Sequence, residues 1–396
     1  MEWIIDADSH VTEPPGVWVD RLPSKWKEIG PHVERDTDSG EDFWYLNGRK
    51  TTLSIGATAA AGFGSSDPKE HPLNFDGVLP AAWDPAARLE YLDSIGAWAQ
   101  VIYPNVGGFG NQAFFQLDEP ALRLACVAAY NDWLLEWCSA DPRRLIPVMA
   151  LPFWDIEASI AEIERCAPLG HKGILFTGEP QRFDMPYFAD HRWNPLWSAV
   201  QASGLSLSFH LGSGDMDVHL KSGHSAVFGP RATSVVSATA LFLNNAVQIT
   251  DFIMSGVLPR FPGLKVVSVE SGAGWVPFVL DTMDYNFKHY EVHREHPEFT
   301  DLPSTYFARQ ISVCYFFESF APNKLVEAIG ADNLLFETDF PHPVCLYGDV
   351  REVMEAGLVE QPLAVRHKLT WANAARLYGV SMPDQPVPSI EVSSPA

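Results

Sequence analysis

Four separate stretches of the chain end a largely apolar run in groups that bind cations or move protons. The first reads Ile4-Ile5-Asp6-Ala7-Asp8-Ser9-His10-Val11. Side chains alternate along a strand, so Asp6, Asp8 and His10 are expected on one face. If that face points inward, three polar groups sit where Val or Leu normally belongs. A cation is the simplest partner that satisfies all three, and an N-terminal cap or a polar network is the plainer alternative. The second stretch, Leu207-Ser208-Phe209-His210-Leu211-Gly212, ends in a histidine that taken alone is more often a core residue than a ligand. The third, Leu334-Leu335-Phe336-Glu337-Thr338-Asp339-Phe340, puts Glu337 and Asp339 on one face before Pro341-His342-Pro343. Asp339 there is either a ligand or the cap of a turn. The fourth, Val269-Glu270-Ser271-Gly272, offers Glu270 as a general acid or base, or as the ion-pair partner of an Arg or Lys. Several strand ends with metal-compatible groups are far less expected by chance than any one of them. Mixed imidazole and carboxylate donors suit Zn2+, Mn2+ or Fe2+, and no cysteine lies near these positions.

Elements that could bring these groups together are readable along the chain. Eight short segments have the composition of buried strands: Trp3–Val11, Gln100–Pro104, Leu145–Phe153, Lys172–Thr177, Leu205–Leu211, Lys265–Ser271, Ile311–Tyr315 and Leu334–Phe340. Several are near-continuous apolar runs, as parallel strands covered on both faces require. Helical patterns at Glu119–Cys138, Ile156–Cys166, Trp193–Ala202, Ala238–Ser255 and Pro322–Ile329 lie between them. The alternation predicts an α/β fold, and eight repeats suggest a closed (β/α)8 TIM barrel, although periodicity does not by itself distinguish it from an open sheet. In a barrel the loops after the strands lie on the catalytic face.

Residues 1–380 are expected to form one barrel domain, with an insertion over about 14–90 after the first strand. That insertion holds a hairpin signal at Asn47-Gly48 and a flexible-looking run at Ala57–Pro68. Its aromatics Phe43, Trp44, Phe63 and Phe75 either line a pocket or pack the insertion onto the barrel, and packing is the favoured reading. The Gly/Ser-punctuated stretch Gly212–Val235 follows the fifth strand, and 381–396 reads as a flexible Pro- and Ser-rich tail.

Composition narrows the function. The 27 basic against 50 acidic residues give a net charge of −23, which disfavours nucleic acid and anionic membrane as partners. An anionic small-molecule substrate would need a local positive charge, which a metal ion supplies. Five cysteines without CxxC spacing fit free thiols. With no basic, apolar leader at the start, a cytoplasmic location is expected.

The ordered series Asp-x-Asp-x-His, His210 and Glu337-Thr338-Asp339-Phe340-Pro341-His342 resembles the amidohydrolase superfamily. Within it, the chain is similar to the amidohydrolase-related branch typified by aminocarboxymuconate semialdehyde decarboxylase (ACMSD). The segments Val257–Lys265, Glu270–Trp275 and Trp371–Tyr378 share the likeness, which runs from about residue 3 to 380. The resemblance implies a (β/α)8 barrel binding one divalent metal, zinc first with Mn or Fe as alternatives. It assigns the ligands to Asp8, His10, His210 and Asp339. Many members have His where this chain has Asp8, and many have a catalytic His where it has Glu270. The implied reaction is non-oxidative decarboxylation of an aromatic or conjugated carboxylic acid. Asp339 would deliver the proton, with Glu270 or His342 tuning it and His342 contacting substrate. Metal-dependent hydrolysis of an amide, lactone or C–C bond is the alternative, and a silent scaffold barrel is a third. Homodimers are common in such proteins.

Overall fold

A computed structural model describes residues 2–64, 70–214, 226–385 and 387. Parts of three expected segments (65–68, 215–225 and most of the 381–396 tail) lie outside the described residues.

Eight parallel strands form one sheet in the order β1 (Ile4–His10), β5 (Ala97–Tyr103), β6 (Leu145–Ala150), β7 (Gly173–Leu175), β8 (Ser206–His210), β9 (Lys265–Val269), β10 (Ile311–Tyr315) and β11 (Leu334–Phe336). The last strand returns to the first. Ser9 bridges Phe340 in parallel, the His10 amide donates to the Phe340 carbonyl at 2.7 Å, and the Asp339 amide donates to the Asp8 carbonyl at 3.0 Å. The sheet is therefore closed at its C-terminal end, where a (β/α)8 barrel carries its chemistry. Helices follow the strands outside it, among them Pro85–Ile95, Pro120–Cys138, Ile156–Cys166, Asn194–Ser203, Pro230–Met254 and Val276–His289. No described helix is long and apolar enough to cross a membrane.

Two apolar layers hold this arrangement. Ile5, Ala7, Val101, Val148, Val267 and Leu335 fill the barrel interior, closed from below by Ala374 and Tyr378. A larger outer layer, including Ile102, Ile174, Leu207, Phe209 and Phe336, packs the strands against the helices. Buried on both faces, the strands have no polar face to alternate with, hence their continuous apolar runs.

Between β1 and the helix Pro85–Ile95 the chain forms a small antiparallel sheet of β2 (His32–Arg35), β3 (Asp42–Leu46) and β4 (Arg49–Ser54). Asn47 (φ 56°) and Gly48 (φ 68°) make its tight turn, where both central residues need positive φ. The 14–90 interval thus contains this sheet and also the start of a barrel helix. The expected helix at Pro322–Ile329 is two short ones, Phe320–Lys324 and Val326–Ile329.

Candidate metal centre

Asp8 and His10 lie at the end of β1, His210 ends β8, Glu270 directly follows β9, and Asp339 lies three residues past β11. All five are buried, and His342 is nearly so. Asp6 does not join them. Its register against β5 slips between Asp6 and Ser9, so three steps along β1 match two along β5. This bulge breaks the simple alternation. Ile5 and Ala7 point into the barrel, whereas Asp6 accepts hydrogen bonds from Gln100 Nε2 (2.7 Å) and Thr338 Oγ1 (2.5 Å). The shared face expected for Asp6, Asp8 and His10 is corrected accordingly: Asp6 is part of the scaffold. Gln100 links it to Arg88 of the outer helix, whose Nη2 holds the His10 carbonyl at 2.7 Å.

The imidazoles are fixed by backbone carbonyls. His10 Nδ1 lies 2.9 Å from the Pro104 oxygen, and His210 Nδ1 lies 2.8 Å from the Leu211 oxygen. A carbonyl only accepts, so both Nδ1 atoms carry the proton and both neutral rings turn bare Nε2 lone pairs toward each other. These Nε2 atoms are 3.0 Å apart. Asp8 Oδ1 stands 3.5 Å from each of them, and Asp339 Oδ1 is 3.5 Å from His10 Nε2. Both oxygens of Asp8 and Oδ2 of Asp339 lack hydrogen-bond partners. Converging, buried and unpartnered acceptors are strongly unfavourable without a cation. For donors about 2.1 Å from an ion such as zinc, tetrahedral or octahedral geometry separates neighbours by about 3.0–3.4 Å. The observed spacings fit such an ion.

The ligand-capable atoms form two overlapping groups that share His10 and Glu270. One adds Asp8 and His210, and the other adds Asp339 and His342. Glu270, expected only as an acid or base or an ion-pair partner, thus stands among the donors, with Oε2 3.7 Å from His210 Nδ1. Glu337 lies beneath them, and its Oε2 accepts from the Glu270 amide at 3.1 Å. Glu270 (φ 52°) and Asp339 (φ 59°) both hold left-handed backbone conformations, which cost of order 1–3 kcal/mol outside glycine and cluster at functional sites.

Burial dominates the electrostatics. It holds the Glu270 carboxyl well above its ordinary range, with help from the Asp339 charge. It does the same to Asp339 and Glu337, each raised further by Asp8. Burial and the neighbouring His342 and His210 push His10 well below its usual value. At His210, burial is the largest single influence and acts downward, but Asp8, Glu270 and the Leu211 carbonyl together make the net shift upward. With no cation present, the cluster holds protons that a bound metal would displace.

Two residues not anticipated from the sequence complete the centre. Phe109 stacks on His210 (4.3 Å between centroids) and sets its edge on His10 (5.1 Å). Asn105 donates Nδ2 to the Val11 carbonyl, which turns its Oδ1 to His342 Nε2 at 2.8 Å. His342 must therefore donate from Nε2, leaving Nδ1 facing Asp339 Oδ1 at 2.6 Å. Both belong to Asn105-Val-Gly-Gly-Phe-Gly-Asn111, a glycine-rich stretch just past a strand end, which was the available signal.

Above the metal-compatible floor opens a cavity of about 590 Å3, whose walls include Leu46, Leu53, Val106, Phe109, Leu241 and Val344. None of Phe43, Trp44, Phe63 or Phe75 lines it. Trp44 packs edge-on against Trp18, and Phe75 against Trp83.

A family profile described as amidohydrolase matches residues 5–380. The chain belongs to the amidohydrolase family. It is 28% identical over 266 residues to a gamma-resorcylate decarboxylase of Polaromonas sp., covering 63% of this chain and 74% of that one. Among solved structures, it resembles an amidohydrolase from Mycobacterium avium subsp. paratuberculosis at a TM-score of 0.73 and 20% identity, covering 96% and 99% of the two chains. It also resembles a dihydroxybenzoic acid decarboxylase from Polaromonas sp. that contains manganese and the inhibitor 2-nitroresorcinol (TM-score 0.60, 20% identity, 97% and 99% covered). At that level of identity the structural matches establish the amidohydrolase barrel.

Proposed function

We propose that the chain is a metal-dependent enzyme that removes CO2 from an aromatic or conjugated carboxylic acid without oxidation. The observation that carries the metal is the pair of carbonyl-fixed imidazoles aiming bare Nε2 atoms at one point beside unpartnered carboxylate oxygens. The likeness to decarboxylases supplies the reaction class. Asp8, His10 and His210 would hold one divalent ion with Glu270 in reach of all three, and Asp339, the fourth ligand expected from the resemblance, approaches it beside His10. Zinc, manganese and iron(II) all suit these donors, zinc being the first expectation from the ligand types. When bound, such an ion supplies a Lewis acid and an anchor for the substrate's carboxylate or an adjacent hydroxyl.

Decarboxylation leaves the electron pair of the broken C–C bond on the ring carbon, which must then gain a proton. In this reading Asp339 gives it. Its Oδ1 lies 2.6 Å from His342 Nδ1, too close for two bare acceptors, so one proton resides on that pair. Asn105 keeps His342 in the Nε2–H tautomer, whose bare Nδ1 accepts from Asp339 and leaves the proton on the carboxyl. Glu270 stands beside them as a second carboxyl within reach of the same position. Phe109 shields the histidines from water on the cavity side.

The test is to load purified protein with Zn2+, Mn2+ or Fe2+ and supply a panel of hydroxybenzoic acids and conjugated dicarboxylates. Release of CO2 with formation of the matching phenol or decarboxylated product is expected. Appearance of a new acid from an amide or lactone, with no CO2 from any member, would move the assignment to hydrolysis.

A further inference from the structure

The cavity walls differ in kind from its floor. The floor carries unpartnered carboxylate oxygens aimed at the metal position, whereas most polar side chains on the walls are already engaged. Thr51 Oγ1 donates to the Trp44 carbonyl at 2.8 Å, and Thr58 Oγ1 to the Ile55 carbonyl at 3.1 Å. Gln112 Nε2 donates to the Gly212 carbonyl, and its Oε1 accepts from the Gly110 amide. The Asn105 side chain is spent on Val11 and His342. Leu46, Leu53, Val106, Leu241 and Val344 fill most of the space between these committed groups, and no Lys or Arg lines the cavity among the described residues. Leu46 and Leu53 come from β3 and β4, so the small sheet inserted after β1 builds one wall of a site whose floor belongs to the barrel. A dry cavity of about 150 Å3 already accommodates benzene. The 590 Å3 present here leaves room for an aromatic head group and a sizeable substituent beyond it.

We infer that the substrate, within the decarboxylase reading above on which this rests, is a monoanionic aromatic acid bearing an apolar substituent on the ring side away from its carboxylate. A second carboxylate or a hydroxyl in that position would lose water beside walls that are mostly committed or apolar, Thr52 and Gln116 being the polar exceptions. An alkyl chain would be buried at the ordinary apolar gain.

The experiment compares two series on the Mn2+-loaded full chain. The first is 2,6-dihydroxybenzoate with hydrogen, methyl, propyl, pentyl or carboxylate at the 4-position, followed as CO2 release. The second is the matching resorcinols, followed as equilibrium binding by calorimetry, which needs no turnover. Binding and kcat/KM should both improve by about fourfold per methylene through propyl, the expected gain for a buried methylene. The carboxylate member should be the poorest of each series. Leu53→Asp should flatten the gradient, and Leu241→Ala, a milder change to the same walls, should halve it or more. Circular dichroism confirms that each variant is folded.

A flat series, or a preference for the second carboxylate, overturns the inference even if CO2 is released. A binding gradient among the resorcinols with no CO2 from any acid leaves the apolar class standing and overturns the decarboxylase reading instead.

Discussion

The lower and upper halves of the barrel interior are built by the same strands to opposite rules. Below, Ile5, Ala7, Val101, Val148, Val267 and Leu335 pack tightly beneath the metal-compatible centre, closed by Tyr378. Above, at or just past the ends of β1, β8, β9 and β11, stand Asp8, His10, His210, Glu270, Glu337 and Asp339. The lower half satisfies itself. In the upper half, unpartnered carboxylate oxygens and left-handed backbone at Glu270 and Asp339 cost free energy that only a ligand can return. Stability and chemistry are thus separated along the strand axis, and each half should respond to substitution differently.

Changing Asp8 to Asn should have the largest effect on function and little on the fold. Bound metal is expected to fall from about one per chain to a small fraction. Decarboxylase activity should fall by more than about a thousandfold, beyond the 10–100-fold usual for outer-shell partners. The metal-free thermal midpoint should hold or rise, because one charge leaves a cluster in which Asp8 raises both Glu337 and Asp339. Elemental analysis beside calorimetric melting reads both, and a variant that keeps its metal would break the contrast. Leu335→Ala should do the reverse. Removing a fully buried side chain from the lower half should cost about 2–5 kcal/mol of stability while the folded fraction keeps its metal. If metal affinity fell in step with stability, the two halves would be one cooperative unit.

The sequence showed more of the upper half than its mixed composition suggests. His10, His210 and Asp339 were legible because a polar group ending an apolar run is conspicuous, and strand ends are where a barrel places chemistry. The eight strands were legible because burial on both faces makes them uniformly apolar. Asp6 was misplaced because alternation assumes an unbroken register, and the bulge between Asp6 and Ser9 is set by pairing with β5, which a single strand's pattern does not encode. Glu337 shares a strand end with Asp339, but its bond to the Glu270 amide depends on a strand two places along the sheet and 67 positions away in sequence. The cavity walls were least legible. Leu46 and Leu53 look like ordinary hairpin residues until the small sheet is folded over the barrel mouth.

The smallest expected effect tests the border between the halves at Glu13, just past the end of β1. Its Oε1 accepts from the Asn105 and Val106 amides at 2.9 and 3.1 Å, holding the loop that carries Asn105 and Phe109, while Oε2 is buried without a partner. Burial pushes this carboxyl up to about 7 from 4.5, against the two backbone bonds. The folded state therefore holds a proton that the unfolded chain releases near pH 4.5. The resulting stabilisation is fully present below that pH and is lost as pH rises through about 7. The difference of about 2.5 pKa units sets an upper limit of about 3 kcal/mol on the effect. Glu13→Gln can keep both amide bonds through its own oxygen but cannot ionise. Relative to the wild type it should gain stability between pH 5 and pH 8, as read by denaturant unfolding of the metal-free protein at each pH. Equal pH dependence in the two proteins would mean that Glu13 is ionised in the folded state. Water or a cation would then reach below the loop, and the dry border between the two halves would lie deeper in the barrel than Glu13.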